Sequence, residues 1–327
     1  MRIGLLTGGG DCPGLNAAIR AVVKCGANNG DEIIGFQHGW RGVAEDECAT
    51  LTVADTKGLL QSGGTILRTA LYHPDVHEGG TEAVLATFVR ERLDAFVVIG
   101  GDGTLGAALK LAGLGVPIVG VAKTIDNDVS GTQRCIGFDT AVATAAEAID
   151  RVQTTGESHD RLMVVEVMGR TSGWLAVCAG IAAGADALCL PEEPVDLDEL
   201  AKAIRRRHDA GSTSSVVVVA EGALRDQLKQ GLAGMCIENG LAERTGFETR
   251  LTVLGHIQRG GPPIASDRLL ASNCAIAAMH AVHSGAFTTL VCASDVTTDL
   301  VPLNVVSRGP RPVPPALLAV ARELIVH

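Results

Sequence analysis

A chain of 327 residues exceeds most single hydrophobic cores, so two domains are expected, and its formal charge of −10 argues against nonspecific nucleic-acid binding while leaving room for a local basic pocket. Composition is 46% hydrophobic but only 3% aromatic, with 40 glycines, which fits an α/β protein rather than a β-sandwich or a disordered chain. The nine cysteines form no CxxC pairs, which points to reduced, mostly buried thiols and against a disulfide framework or a zinc site.

The first apolar run, residues 3–6, is cut by Gly8-Gly-Gly-Asp11 too early for a secretory signal, and no stretch reaches the roughly 20 apolar residues of a membrane span. A cytoplasmic protein without membrane contact is therefore expected. The fragment Thr7-Gly-Gly-Gly-Asp11 leads through Cys12-Pro-Gly-Leu-Asn16 into a helical segment at 17–25. Its glycines let backbone N–H groups approach a phosphate at a helix N-terminus, or simply make a tight strand-to-helix turn; taken alone, the residues leave both open. No Walker lysine follows, which disfavours a P-loop NTPase.

A second strand at 95–99 and helix at 105–111 are joined by Gly100-Gly-Asp-Gly-Thr104, and Gly101, Gly103 and Gly106 satisfy G-x-G-x-x-G. That match raises a Rossmann-type oxidoreductase, but such a site wants an acid at the end of the next strand. The strand at 116–121 runs instead to Lys123. Asp102, between glycines, suits Mg²⁺ on phosphate oxygens. The turn Lys123-Thr-Ile-Asp-Asn-Asp128, before a helix at 140–152, gathers an ammonium, a hydroxyl and two carboxylates. Solvated loop charge is the ordinary explanation, yet the glycine loops around it favour phosphoryl transfer, in which a carboxylate of pKa about 3.9 need only position a hydroxyl.

The alternation continues with 163–167, 175–183 and 215–220, which implies parallel strands joined by right-handed crossovers, with functional loops at their carboxyl ends. Glu166-Val-Met-Gly-Arg170 closes one strand with an arginine able to bridge phosphates. Further cations stand at Arg161, Arg250, His256 and Arg259, the last two inside Gly255-His-Ile-Gln-Arg-Gly-Gly261. Each alone is an ordinary surface cation; clustered in an acidic chain they suit the phosphate of a sugar. The prolines of 309–315 set a turn before a helix at 316–325, and no repeat of 20–50 residues is visible.

Gly-Gly-Asp-Gly, Thr-Ile-Asp-Asn-Asp, Met-Gly-Arg and Gly-His-Ile-Gln-Arg-Gly-Gly, in this order, resemble the 6-phosphofructokinase family along nearly the whole chain, least after about residue 293. The resemblance implies two three-layer α/β/α lobes with mostly parallel sheets and an active site in the cleft between them. The nucleotide and Mg²⁺ lobe is expected at 1–136 plus 257–303, and the sugar-phosphate lobe at 137–256 plus 304–327. It also implies transfer from Mg-ATP to the 1-hydroxyl of fructose 6-phosphate, a glycolytic reaction. Asp126 is then the base, supported by Thr124 and Asp128, with Lys123 beside them and Arg170 bridging the phosphoryl group. Asp102 serves the metal, and Gly10, Gly101, Gly103, Thr104 and Gly106 line the nucleotide. Met168, Gly169 and Glu221 meet the sugar, His256 and Arg259 its 6-phosphate. Arg161 and Arg250 reach a neighbouring subunit's site, which implies a homo-oligomer, usually a tetramer.

Family members that use pyrophosphate typically carry Asp at the place of Gly103, so ATP is the expected donor, although Lys123 resembles the pyrophosphate users. The family's Gly-Gly-Thr-x-Leu-Gly-x-x-Arg motif reads here Gly63-Gly-Thr-Ile-Leu-Arg-Thr-Ala-Leu71. Leu71 replaces a phosphate-contacting arginine, and Arg68 is the candidate substitute. Trp40 stands where a tyrosine commonly approaches the nucleotide. Of the basic effector positions only Arg20 and Lys24 keep their charge, while Val53, Gln153, Ala210 and Ser212 occupy the others, so weak regulation is expected. Besides the oxidoreductase, an inactive sugar-phosphate sensor is the alternative that Leu71 keeps open.

Overall fold

The computed structural model describes residues 1–225, 233–294 and 297–325. In chain order the strands are β1 (Arg2–Thr7), β2 (Glu32–Phe36), β3 (Cys48–Leu51), β4 (Ala95–Gly100), β5 (Ile118–Ala122), β6 (Leu162–Val167), β7 (Ala187–Cys189), β8 (Ser215–Ala220), β9 (Thr249–Val253), β10 (Thr289–Ala293) and β11 (Thr298–Pro302). The helices are α1 (Leu15–Asn29), α2 (Trp40–Glu45), α3 (Gly80–Arg90), α4 (Asp102–Gly113), α5 (Phe138–Ser158), α6 (Trp174–Ala182), α7 (Leu197–Asp209), α8 (Ala233–Thr245), α9 (Ala265–His283) and α10 (Pro315–Leu324).

Two units are present, residues 1–140 with 259–310 and residues 141–258 with 311–327. The chain thus passes from one to the other within α5, after Gln258 and after Pro310. Residues 304–310, drawn with the second lobe from the sequence, lie in the first unit, where Leu303, Val305 and Val306 join its core.

The first unit holds a seven-stranded sheet in the order β11-β10-β5-β4-β1-β2-β3. Its five central strands run parallel, and the edge strands β3 and β11 run antiparallel to their neighbours. The burial of β4 and β5 is continuous along every residue, as expected of parallel strands covered by helices on both faces, whereas both edge strands mix exposed polar and apolar positions. Phe96 of β4 centres an aromatic cluster, with the rings of Phe36, Trp40 and Phe88 each 5.7 Å away. On the opposite face α1 packs along α9.

The second unit contains a four-stranded all-parallel sheet, β7-β8-β6-β9. Its valine-rich strands β6 and β8 are buried throughout, and Leu162, Val164, Val217 and Val219 pack with Ile237 and Leu241 of α8. The start of α7 is fixed by Asp196, whose carboxylate accepts from the N–H groups of Asp198 and Glu199 at 2.9 and 3.1 Å. Arg206, Arg207 and His208 sit at its C-terminal end, where the dipole favours cations.

No disulfide joins the nine cysteines, all within the described residues; Cys12, Cys135, Cys189 and Cys274 are buried and the other five half-buried, fewer in the core than the sequence suggested. No helix among the described residues is long and apolar enough to cross a membrane.

One buried carboxylate secures the entry to α5. Asp267 of α9, fully shielded from solvent, accepts from Gly137 N and Thr140 N at 2.8 Å each and from Thr140 Oγ1 at 2.6 Å. Burial raises its pKa, opposed by these three donors. Asp267→Ala strands all three donors in the interior, and should lower stability by on the order of 3 kcal/mol, read as a drop in the urea midpoint. Asp267→Asn, which keeps an acceptor, should lose less.

Candidate active site

Three neighbouring parallel strands of the first unit end at one edge of their sheet, each releasing one of the glycine or acidic fragments. In register, Thr7 of β1 lies beside Ile99 of β4, and Gly100 beside Ala122 of β5. Gly8 N donates to Ile99 O and Lys123 N to Gly100 O, both at 3.0 Å, so the three loops are bonded to one another as they leave the sheet. Gly8-Gly-Gly-Asp11, Gly101 with Asp102, and Lys123-Thr-Ile-Asp-Asn-Asp128 are thereby brought together.

Asp102 is the first residue of α4 and half-buried, where a carboxylate is favoured by the helix dipole. A single carboxylate beside glycines, with remaining positions left to phosphate oxygens and water, is the donor set Mg²⁺ prefers, so the residues present fit that ion. Gly103 is exposed, and an added Cβ would meet the His73 ring carbon Cε1 at 2.6 Å. The imidazole of His73 thus lies over Gly103. Thr104 turns inward: its side chain is buried and covers Gly8, where an added Cβ would stand 2.6 Å from Thr104 Cγ2. Gly106 lies half-buried on α4.

The acidic turn is shaped by its own side chains. Thr124 Oγ1 accepts from Asp126 N at 3.1 Å and donates to Asp126 Oδ2 at 3.2 Å. Asn127 adopts φ 50°, a left-handed conformation that asparagine tolerates, and its Oδ1 accepts from Cys135 N at 2.9 Å. Asp126 and Asp128 are only 2% and 3% exposed. Lys123 is equally buried; its ammonium donates to the carbonyl oxygens of Gly8, at 2.8 Å, and Gly10. Burial pulls its pKa below the usual lysine range.

Arg259 belongs to this unit, its guanidinium against Gly10 and donating to Asp11 O at 3.2 Å. Arg68 has φ 55° and is exposed, its carbonyl accepting from Thr7 Oγ1 at 3.0 Å. Leu71 is 84% exposed. Trp40 faces away from solvent altogether, 1% exposed, with its indole N–H donating to Thr104 O at 3.0 Å. It packs in the core and holds the first turn of α4, so it presents no ring to a nucleotide.

In the second unit Glu221, one residue beyond β8, receives the N–H groups of Gly169 and Arg170 at 3.2 and 2.6 Å. Met168 N donates to Gln258 Oε1 at 3.4 Å, and the Arg170 side chain is exposed. Arg161 and Arg250, on paired strand ends, converge on Glu248: Arg161 Nε lies 2.9 Å from Oε1, and Arg250 donates to the same oxygen. The hydrogen bond from Arg161 lowers the Glu248 pKa. His256 is exposed on the short 3₁₀ turn Gly255–Arg259.

Two site-lining residues escaped the sequence reading. Thr69, whose hydroxyl donates to Gly9 O, and His73 sit in the segment after Leu67, which has no helical or strand periodicity to orient them. Away from this edge, Asp46, Cys48 and Glu91 form the one group of three potential metal ligands found among the described residues, but Arg90 and Arg2 already hold its carboxylates.

A family model described as phosphofructokinase matches residues 2–282. Curated relatives include an ATP-dependent 6-phosphofructokinase of Corynebacterium efficiens and a pyrophosphate–fructose 6-phosphate 1-phosphotransferase of Amycolatopsis methanolica, each 46% identical over 89% of this chain and covering 89% and 90% of the relative. Among solved structures, Pichia pastoris phosphofructokinase in the T-state superposes with a TM-score of 0.88 at 34% identity over 98% of this chain, which spans only 36% of that longer one. A pyrophosphate-dependent phosphofructokinase from Nitrosospira multiformis shares the fold, with a TM-score of 0.85 at 19% identity over 96% of this chain and 86% of its own. The chain belongs to the phosphofructokinase family.

Replacing Trp40 by Phe should lower stability by about 1 kcal/mol, since it leaves the Thr104 carbonyl without the indole donor. The KM for ATP should stay within about twofold, measured by steady-state kinetics on the purified variant; a tenfold rise would return the ring to the nucleotide site.

Proposed function

We propose that this chain transfers the γ-phosphoryl group of ATP to the 1-hydroxyl of fructose 6-phosphate, giving fructose 1,6-bisphosphate. The observation that carries this reading is the meeting, at one sheet edge, of the glycine loop 8–11, the Asp102 loop and a turn with two buried carboxylates. Asp126 accepts the proton of the attacking hydroxyl, and Thr124 fixes the carboxylate that does so. The transition state of phosphoryl transfer is loose, so the proton is lost late and positioning supplies most of the acceleration. Asp128 keeps the turn acidic, and the exposed guanidinium of Arg170 is the bidentate partner for the transferring group.

Asp102 would hold Mg²⁺, which when bound neutralises charge on the donor's phosphate oxygens. Glu221 orders the backbone of Gly169 and Arg170, and His256 with Arg259 supplies charge for the sugar's 6-phosphate. Arg161 and Arg250 serve a neighbouring copy in a homo-oligomer, a tetramer in this reading; an active monomer in sedimentation would contradict that part.

The relatives named for ATP and for pyrophosphate are equally similar to this chain, so the donor rests on Gly103. An aspartate at 103 would crowd and repel the α-phosphate of a nucleotide; the glycine brings no such carboxylate, and the His73 imidazole lies over it instead. Initial rates on fructose 6-phosphate should be at least tenfold higher with Mg-ATP than with Mg-pyrophosphate; the reverse preference would overturn the donor assignment. In the same assay Asp126→Ser should lower kcat by about two to four orders of magnitude with little change in the sugar KM. Near-normal turnover would remove Asp126 from the role of base.

A further inference from the structure

All four carbonyl oxygens of the loop Gly8-Gly-Gly-Asp11 are held by side chains from distant parts of the first unit. Lys123 Nζ takes those of Gly8, at 2.8 Å, and Gly10. Thr69 Oγ1 takes that of Gly9, and Arg259 Nη1 that of Asp11 at 3.2 Å. In a planar trans peptide the C=O and the following N–H point in opposite directions. By drawing two alternate oxygens to one ammonium, Lys123 turns the N–H groups of Gly9 and Asp11 away from itself and to the same side. Gly8 N–H is already engaged with Ile99 O at 3.0 Å. Backbone N–H groups of one short loop turned the same way make a concavity for an anion, the more so at the approach to a helix.

We propose that Lys123 is a positioning residue for the phosphoryl donor, its ammonium orienting the peptides of the 8–11 loop so that their N–H groups face the donor's phosphates, with Thr69 fixing the intervening peptide. The proposal rests on the reading of this loop as the donor site. It departs from direct contact between Lys123 and the donor: the lysine is 2% exposed, and two of its ammonium protons are spent on carbonyls of the loop. Thr69 makes the idea separable, because its hydroxyl acts on the same loop without carrying any charge.

The test compares the full-length wild-type chain with Lys123→Met and Thr69→Val, reading kcat, both KM values, and equilibrium binding of Mg-ATP without sugar. Lys123→Met should weaken ATP binding and raise its KM by about tenfold or more, as expected for losing charge-assisted hydrogen bonds, with the fructose 6-phosphate KM within about twofold. Thr69→Val should move the same two constants in the same direction by about threefold. Two results overturn the proposal: ATP binding unchanged in both variants, or kcat collapsing in Lys123→Met while ATP binding holds, which is the signature of direct contact with the transferring group. If Lys123→Met does not fold, unchanged ATP binding in Thr69→Val overturns it alone. A wild-type chain that binds ATP yet transfers nothing sinks the kinase reading instead, and the binding measurements still decide the role of Lys123.

Discussion

The constraint on which the site depends is the register of three parallel strands. Side-by-side strands that run in one direction and stop at one level must release their following residues into the same small volume. Thr7 beside Ile99 and Gly100 beside Ala122 fix that level, and the bonds from Gly8 N and Lys123 N carry the alignment one residue past the sheet. Segments separated by about a hundred residues in sequence thus become a single surface. A slip of one residue in β5 would turn its own side chains to the opposite face of the sheet and carry the turn that follows out of level with the other two loops.

The fold was legible because its central strands are unambiguous. Runs such as Ala95–Gly100 are apolar at every position and end in glycine, a pattern that a doubly covered parallel strand produces and an amphipathic element does not. Edge elements were less visible. Cys48–Leu51 and Thr298–Pro302 alternate poorly and owe their pairing to neighbours rather than to their own composition. The position of residues 304–310 was likewise undetermined by local pattern, since Leu303, Val305 and Val306 are apolar enough for either core.

Within the site, residue types were readable and their orientation was not. Lys123, Arg259, Thr104 and Trp40 all look like candidates for ligand contact in the sequence. Lys123, Thr104 and Trp40 are turned toward protein, onto carbonyls of the glycine loop, onto Gly8, and onto α4 with an aromatic core, while Arg259 spends one donor on Asp11 O and stays half-buried. A cation between apolar strands and glycine carbonyls finds partners within the fold, and only packing in three dimensions reveals that they suffice. Conversely, Thr69 and His73 carry no motif, and their relevance comes from what lies across from them.

The chain has two tryptophans, and the fold assigns one to each unit. Trp40 is enclosed by Phe36 and Phe96, while Trp174 lies under the guanidinium of Arg311, 4.1 Å from the ring centroid. Their surroundings differ in polarity and in the nearness of a positive charge, both of which shift indole emission. The protein therefore has a built-in pair of optical reporters, through which melting of either half can be followed without an external label.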